Sequence, residues 1–211
     1  GPAQPAYTLE LGTHGALLPG IEHFRKGDAA GTTPFDRPSL AASVGKSANW
    51  PVSGSPTPLA QEITALNPRF ALVSYGTNDM QLGLTFASAA FPFYANMQAL
   101  LATLEQSGIV PIVAGLLPRS DDAAAAYWVP VYDAITRGIA EQRQLPYLSL
   151  CLATKDLPAQ GLGPDGLHAN VYVSGGAEPC NFGDQGLSYG YDVRNLHSME
   201  QLDVVRRVVL D

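Results

Sequence analysis

Phe70-Ala71-Leu72-Val73-Ser74-Tyr75 runs without a break into Gly76-Thr77-Asn78-Asp79, and on this stretch the reading of the fold turns. The first six residues, apolar apart from one serine, read as a strand buried on both faces. Gly, Asn and Asp then favour a bend in the chain. Just upstream, Asn67-Pro68 stops a helix predicted over Pro58 to Leu66, for which Thr57 is the N-cap and Pro58 the first helical residue.

Downstream the pattern repeats. Phe93, Met97, Leu100, Leu101 and Leu104 recur at three and four and predict a helix over Ala87 to Gln106, stopped by Gly108. Ile109 to Ala114 is an apolar run suited to a buried strand, although Pro111 removes one ladder donor. A second long helix over Tyr127 to Gln142 carries Val131, Ile135 and Ile139 on one stripe, and Tyr147 to Leu152 is the next strand. Ser198 with Gln201 three residues on forms a capping box for a last helix reaching about Val209. Strands alternating with helices predict an α/β fold, a three-layer α/β/α sandwich on a central parallel sheet. The N-terminal part is less regular: Tyr7 to Leu11 alternates like a short strand, Ala16 to Arg25 is a helix interrupted by Pro19, and Gly27 to Pro38 reads as loop. With no repeat and no linker, residues 1–211 read as one domain.

Composition narrows the function. Twelve Lys and Arg against 19 Asp and Glu give a net charge of -7, and no basic cluster exceeds Arg206-Arg207, so nucleic acid is excluded as a partner on electrostatic grounds. No apolar run is long enough to span a bilayer. A chain that is 46% hydrophobic and only 15% charged has the apolar content for a packed core. Low charge, abundant Gly and Pro and nine tyrosines point to an exported protein, secreted or periplasmic. Gly1-Pro2 matches the scar of a cleaved tag, and the natural gene is expected to extend upstream. Cys151 and Cys180 are too few for a four-ligand zinc site; they read as one disulfide, closing a loop that contains residues 165–168, or as two thiols. His14, His23 and His197 have no evident partner and do not converge as metal ligands. Oligomeric state is not legible.

In a parallel sheet the chemistry sits in loops after the C-terminal strand ends, and two clusters fall there. In the first, Asn78 offers a side-chain NH2 to a developing oxyanion, Gly76 permits the bend and Asp79 ties the loop to backbone amides; the bland alternative is a simple turn. The second is Asp165-Gly166-Leu167-His168. Its carboxylate, three residues before the imidazole, can accept the Nδ1 proton and leave Nε2 as a base, the alternative being a solvated surface pair.

Together, GTND after a buried strand and DGLH late in the chain resemble the SGNH (GDSL) hydrolase family, whose third and fifth blocks are GxND and DxxH. The resemblance covers roughly Ser43 to His168, and the tail from Ala169 to Asn195 looks like an insertion. It implies a flavodoxin-like fold and an ester hydrolase without metal or organic cofactor. A serine would attack, His168 would serve as base and Asp165 would orient it, with Asn78 and the amide of Gly45, in Ser43-Val44-Gly45-Lys46-Ser47, holding the oxyanion. The substrate class implied is a small-molecule or carbohydrate ester. One departure stands out: no Gly-Asp-Ser occurs, and after YTLEL the chain reads Gly12-Thr13-His14. Either the block precedes Gly1, or a hydroxyl of Ser47, Ser43 or Thr13 serves, or the protein binds an ester or carbohydrate without cleaving it.

Overall fold

Local chemistry sets the boundaries of each element in the computed structural model, which describes residues 8–26 and 38–210. Thr57 caps α2 (Pro58–Leu66) by accepting the Ala60 amide at 3.1 Å, and Asn67 ends it in the left-handed region at φ 46. Strand β1 (Phe70–Ser74) follows. Thr85 and Ser88 form a reciprocal capping box that opens α3 (Phe86–Gln106), leading through Gly108 into β2 (Val110–Ala114). Asp122 accepts the Ala125 amide at 2.7 Å to start α4 (Ala123–Arg143), and β3 (Tyr147–Leu148) comes next. The chain closes with α5 (Leu150–Thr154) and α6 (Gly190–Leu210); α1 (Leu18–Arg25) lies near its start.

The strands form a parallel sheet in the order β1-β2-β3, with Val73 opposite Val113 and Val113 opposite Tyr147. This is the α/β architecture expected. Val73 and Val113 join one core cluster with Met97, Leu101 and Leu104 of α3 and Tyr132 and Ile139 of α4. On the other side Phe24 of α1 meets Phe70 edge to face at 5.9 Å, while α6 packs on α1, α5 and β3. That layer covers Ile112 completely but leaves Leu72, its neighbour on β1, 46% exposed. Among the described residues β1 is an edge strand.

Several expectations need correction. The strand expected over Tyr147 to Leu152 lasts two residues, because the Ser149 side chain accepts the Leu152 amide and starts a helix; a short apolar run suits either element. The last helix begins eight residues before Ser198, whose hydroxyl donates to the Arg194 carbonyl inside it, so there is no capping box there. Pro19 does not interrupt α1 but sits in its first turn, where no amide donor is needed. Of the stretch 7–11, Tyr7 lies outside the described residues and Glu10 makes a single bridge to Asn181 instead of joining a sheet. Most of the loop expected over Gly27 to Pro38 also lies outside them.

The expected disulfide does not form. Cys151 lies in the first turn of α5 and Cys180 in the tail loop, where its carbonyl accepts the Glu10 amide, and both remain thiols. Burial pushes both thiols up, helped by Asp133 near Cys151 and Asp192 near Cys180. His197 does have a partner, its Nδ1 lying 2.8 Å from Glu200 one turn on, with His14 at 3.9 Å from the same carboxylate.

Candidate active site

At the end of β1 the backbone of Gly76 adopts φ +129, and a Cβ there would lie 2.8 Å from the Leu116 side chain. The chain turns into a short 3-10 helix at Asp79–Gln81, with the Met80 amide donating to the Gly76 carbonyl at 3.1 Å. This turn sends two adjacent side chains in opposite directions. Asn78 stays exposed and donates one Nδ2 hydrogen to the Lys46 carbonyl at 3.1 Å, leaving the second for a ligand. Asp79 is buried, 2% exposed, and accepts the amides of Ala48 at 3.0 Å and Gly76 at 3.1 Å. Burial pushes its carboxyl up to about 6, against the opposing pull of those two amides.

The Lys46 and Ala48 contacts lay the segment carrying Gly45 against the Asn78 turn. Gly45 is exposed with φ +73 and open space around its Cα. Ser47 is 9% exposed, and its carbonyl accepts the Trp50 amide.

After β3 and α5 the chain reaches Gly163, whose amide donates to the His168 carbonyl at 2.8 Å and closes a tight loop. Within it Asp165 Oδ1 accepts the amides of Leu167 and His168, each at 3.0 Å, and Oδ2 lies 2.7 Å from His168 Nδ1. The ring hydrogen bond, followed by the two amides, lowers the Asp165 carboxyl to about 2. The carboxylate therefore stays charged at neutral pH and holds the Nδ1–H tautomer. The His168 side chain is 78% exposed, and Nε2 has no hydrogen-bond partner among the described residues. Both side chains line an open concavity of about 490 Å³ with Gly163, Pro164 and Asn170.

Loops after all three strands join into one rim at the C-terminal end of the sheet. Gly76 abuts Leu116, and the Ser120 amide donates to the Gly166 carbonyl at 2.8 Å. Gly166 itself has φ +66, and a Cβ there would lie 2.7 Å from the Asp121 amide nitrogen. Through these contacts the Asn78 turn and the Asp165–His168 loop stand at the same end of the sheet, although the residues lining the concavity beside His168 do not include Asn78 or Gly45. Ser47, Ser43 and Thr13 make no hydrogen bond to His168.

Sequence reasoning missed the supports behind this rim. Asp133 of α4 accepts the Leu116 amide at 2.9 Å and the Tyr147 hydroxyl at 2.8 Å, which fixes the loop after β2. In the tail, Asp192 is fully buried and accepts the amides of Tyr172 and Asn181, while Asn170 accepts the Gly190 amide at 2.7 Å. An aspartate or asparagine with partners 11 to 20 residues away leaves no local pattern to read. Among the described residues no three His, Cys, Asp or Glu groups cluster as metal ligands, and no helix is long and apolar enough to cross a membrane.

Known structures share the architecture. A GDSL-like lipase from Bacteroides thetaiotaomicron VPI-5482 superposes with a TM-score of 0.52 at 15% identity, covering 76% of this chain and 73% of that one. A catalytic mutant of Axe2, an acetylxylan esterase from Geobacillus stearothermophilus, gives a TM-score of 0.59 at 11% identity, covering 90% and 80%. LAE5, an alpha/beta hydrolase enzyme from the metagenome of Lake Arreo, Spain, gives 0.53 at 16%, covering 75% and 69%. At such identities the likeness concerns the fold. No curated protein matches the chain. The family model, however, matches residues 29–172, more than half the chain and all of the rim from Gly45 to His168. The chain is therefore a member of the GDSL-like lipase/acylhydrolase family and an ester hydrolase by class.

Proposed function

We propose that the protein removes a short acyl group, an acetyl carried by a carbohydrate, through an acyl-enzyme. His168 takes the proton of an attacking serine and returns it to the leaving alcohol, and Asp165 orients and stabilises the imidazolium. Asn78 Nδ2 and the Gly45 amide hold the oxyanion. The observation that carries this reading is the 2.7 Å contact between Asp165 Oδ2 and His168 Nδ1, with Nε2 left open above the sheet. A net charge of -7 disfavours approach to an anionic lipid surface, and the neighbouring fold described as an acetylxylan esterase supports the carbohydrate ester. Export belongs to the same reading.

The chain carries no Gly-Asp-Ser, and in this reading the attacking hydroxyl reaches the rim from beside the open edge of β1. Support comes from the edge position of β1 among the described residues and the 46% exposure of Leu72. A strand there would deliver a residue at its C-terminal end to the rim that holds Asn78. A second reading, recognition of an ester or carbohydrate without cleavage, draws on the lack of any hydroxyl bonded to His168 among the described residues. Hydrolysis of p-nitrophenyl acetate by the protein, abolished by His168→Ala, supports catalysis; tight ligand binding without turnover supports the alternative.

A further inference from the structure

The two donors of the oxyanion site belong to chain segments more than 30 residues apart, and few contacts join them. Asn78 Nδ2 reaches the Lys46 carbonyl. Beneath that exposed contact lies the buried Asp79 carboxylate, which takes the Ala48 amide on both oxygens, at 3.0 and 3.2 Å, and the Gly76 amide on Oδ2. Asp79 is thus fastened to the end of β1 through Gly76 and to the Gly45 segment through Ala48, one residue from the outward-facing Asn78.

We infer that Asp79 is the positioning residue of the oxyanion site, its ionised carboxylate holding the Gly45–Ala48 segment against the Asn78 turn so that both donors meet one substrate oxygen. The inference rests on the esterase reading and adds to it the group that presets its donors. Three amide contacts on a carboxylate are contacts an uncharged acid cannot keep in full, because its hydroxyl carries a hydrogen that faces one of the two N–H groups. The groups facing Asp79 do not replace the charge. Tyr75, at the end of β1, and Tyr132, on α4, are raised by burial and by the Asp79 charge, Tyr132 up to about 12, and both stay protonated. Their hydroxyls donate elsewhere, to the carbonyls of Ala41 and Phe86. The α3 helix packed against the turn adds no charged group acting on Asp79 among the described residues. Burial holds the Asp79 carboxyl at about 6, so the clamp opens under mildly acidic conditions while Asp165, at about 2, stays charged.

Two measurements test this. In the intact protein, the backbone amide resonances of Ala48 and Gly76 and the side-chain NH2 of Asn78 are followed by NMR from pH 8 to 5. All three should move with one midpoint near 6 while circular dichroism holds constant. An Asn78 side chain that stays still while Ala48 and Gly76 titrate overturns the coupling, and so do amides that do not titrate at all. Kinetics of Asp79→Asn on p-nitrophenyl acetate form the second measurement. The amide keeps the shape but turns a donor towards a donor. We expect kcat to fall about tenfold to a hundredfold, less than the 10²–10³ of an outright lost oxyanion donor, with KM within about twofold. Wild-type kcat in Asp79→Asn overturns the inference. A variant that fails to fold leaves the decision to the wild-type titration. A protein that shows the coupled titration but no His168-dependent hydrolysis retains the clamp and refutes the esterase reading, so the two failures are separable.

Discussion

Raising the pH from 5 to 8 should weaken the fold, the reverse of what paired carboxylates ordinarily do. Asp79 and Asp192 are 2% and 0% exposed, and burial pushes each carboxyl up to about 6 from a usual 3.8, outweighing the amides that each accepts. A group whose folded pKa is raised binds its proton more tightly in the folded state. Its stabilising effect is complete below the unfolded pKa and is lost as pH rises through the folded one. Over this window each aspartate should cost on the order of 1 kcal/mol, roughly 2–3 kcal/mol together. Asp165 pulls the other way, but with its carboxyl held near 2 its contribution falls away only below the window. For a chain of 211 residues that corresponds to a melting temperature about 5 to 12 °C lower at pH 8 than at pH 5. Urea unfolding followed by circular dichroism at four pH values and constant ionic strength measures it. The slope should flatten by about half in either Asp79→Asn or Asp192→Asn. Stability that is level or rising across the window in the wild type would refute the reasoning.

Three further outcomes follow from the packing. Val73 is 4% exposed at the centre of the main core cluster, so Val73→Asp buries an unpaired carboxylate at a cost of several kcal/mol against a total of about 5 to 15, and no cooperative melt should be seen by calorimetry. Labelling under denaturing, non-reducing conditions should count two free thiols per chain; none would restore the disulfide. Gly166→Ala meets both a positive φ and the Asp121 backbone, so it should cost about 1–2 kcal/mol and lower kcat by shifting the Asp165–His168 loop; chemical denaturation and ester hydrolysis check the two effects, and wild-type values for both would contradict the packing of that loop.

What the sequence makes legible is local. FALVSY-GTND and DGLH carry their meaning in consecutive residues: the strand in its apolar run, the bend in Gly76, the His168 tautomer in an aspartate three residues before it. The long helices are readable for the same reason, with Thr57, Gly108 and the stripe of α3 within a few residues of what they control; in α4 the expected stripe is only partly right, since the core face runs through Val129, Tyr132, Thr136 and Ile139 and leaves Val131 38% exposed. Where two local readings compete, sequence decides badly. Leu150 to Leu152 is apolar enough for a strand, yet the Ser149 cap wins and makes it helical. Ser198 and Gln201 satisfy the capping-box pattern inside a helix that needs no cap there. What joins distant segments is far less legible: the sequence offers Asp79 as a tie to backbone amides but not Ala48 as its partner, and Asp133 to Leu116 and Asp192 to Asn181 use ordinary residues whose importance comes from burial, which only the folded chain defines.

Fold and chemistry meet in a compromise. Asp79 supports the rim only while charged, and the desolvation that isolates it makes that charge expensive, so a contact useful near neutral pH lowers stability there.

The most direct test of catalysis is acid-quench mass spectrometry of the protein after mixing with p-nitrophenyl acetate. A burst of p-nitrophenol should accompany the gain of one acetyl group on a serine, and both should vanish in His168→Ala, since nucleophile and base fail together. A His168→Ala protein that still forms the acetyl adduct and turns over at the wild-type rate would contradict the account.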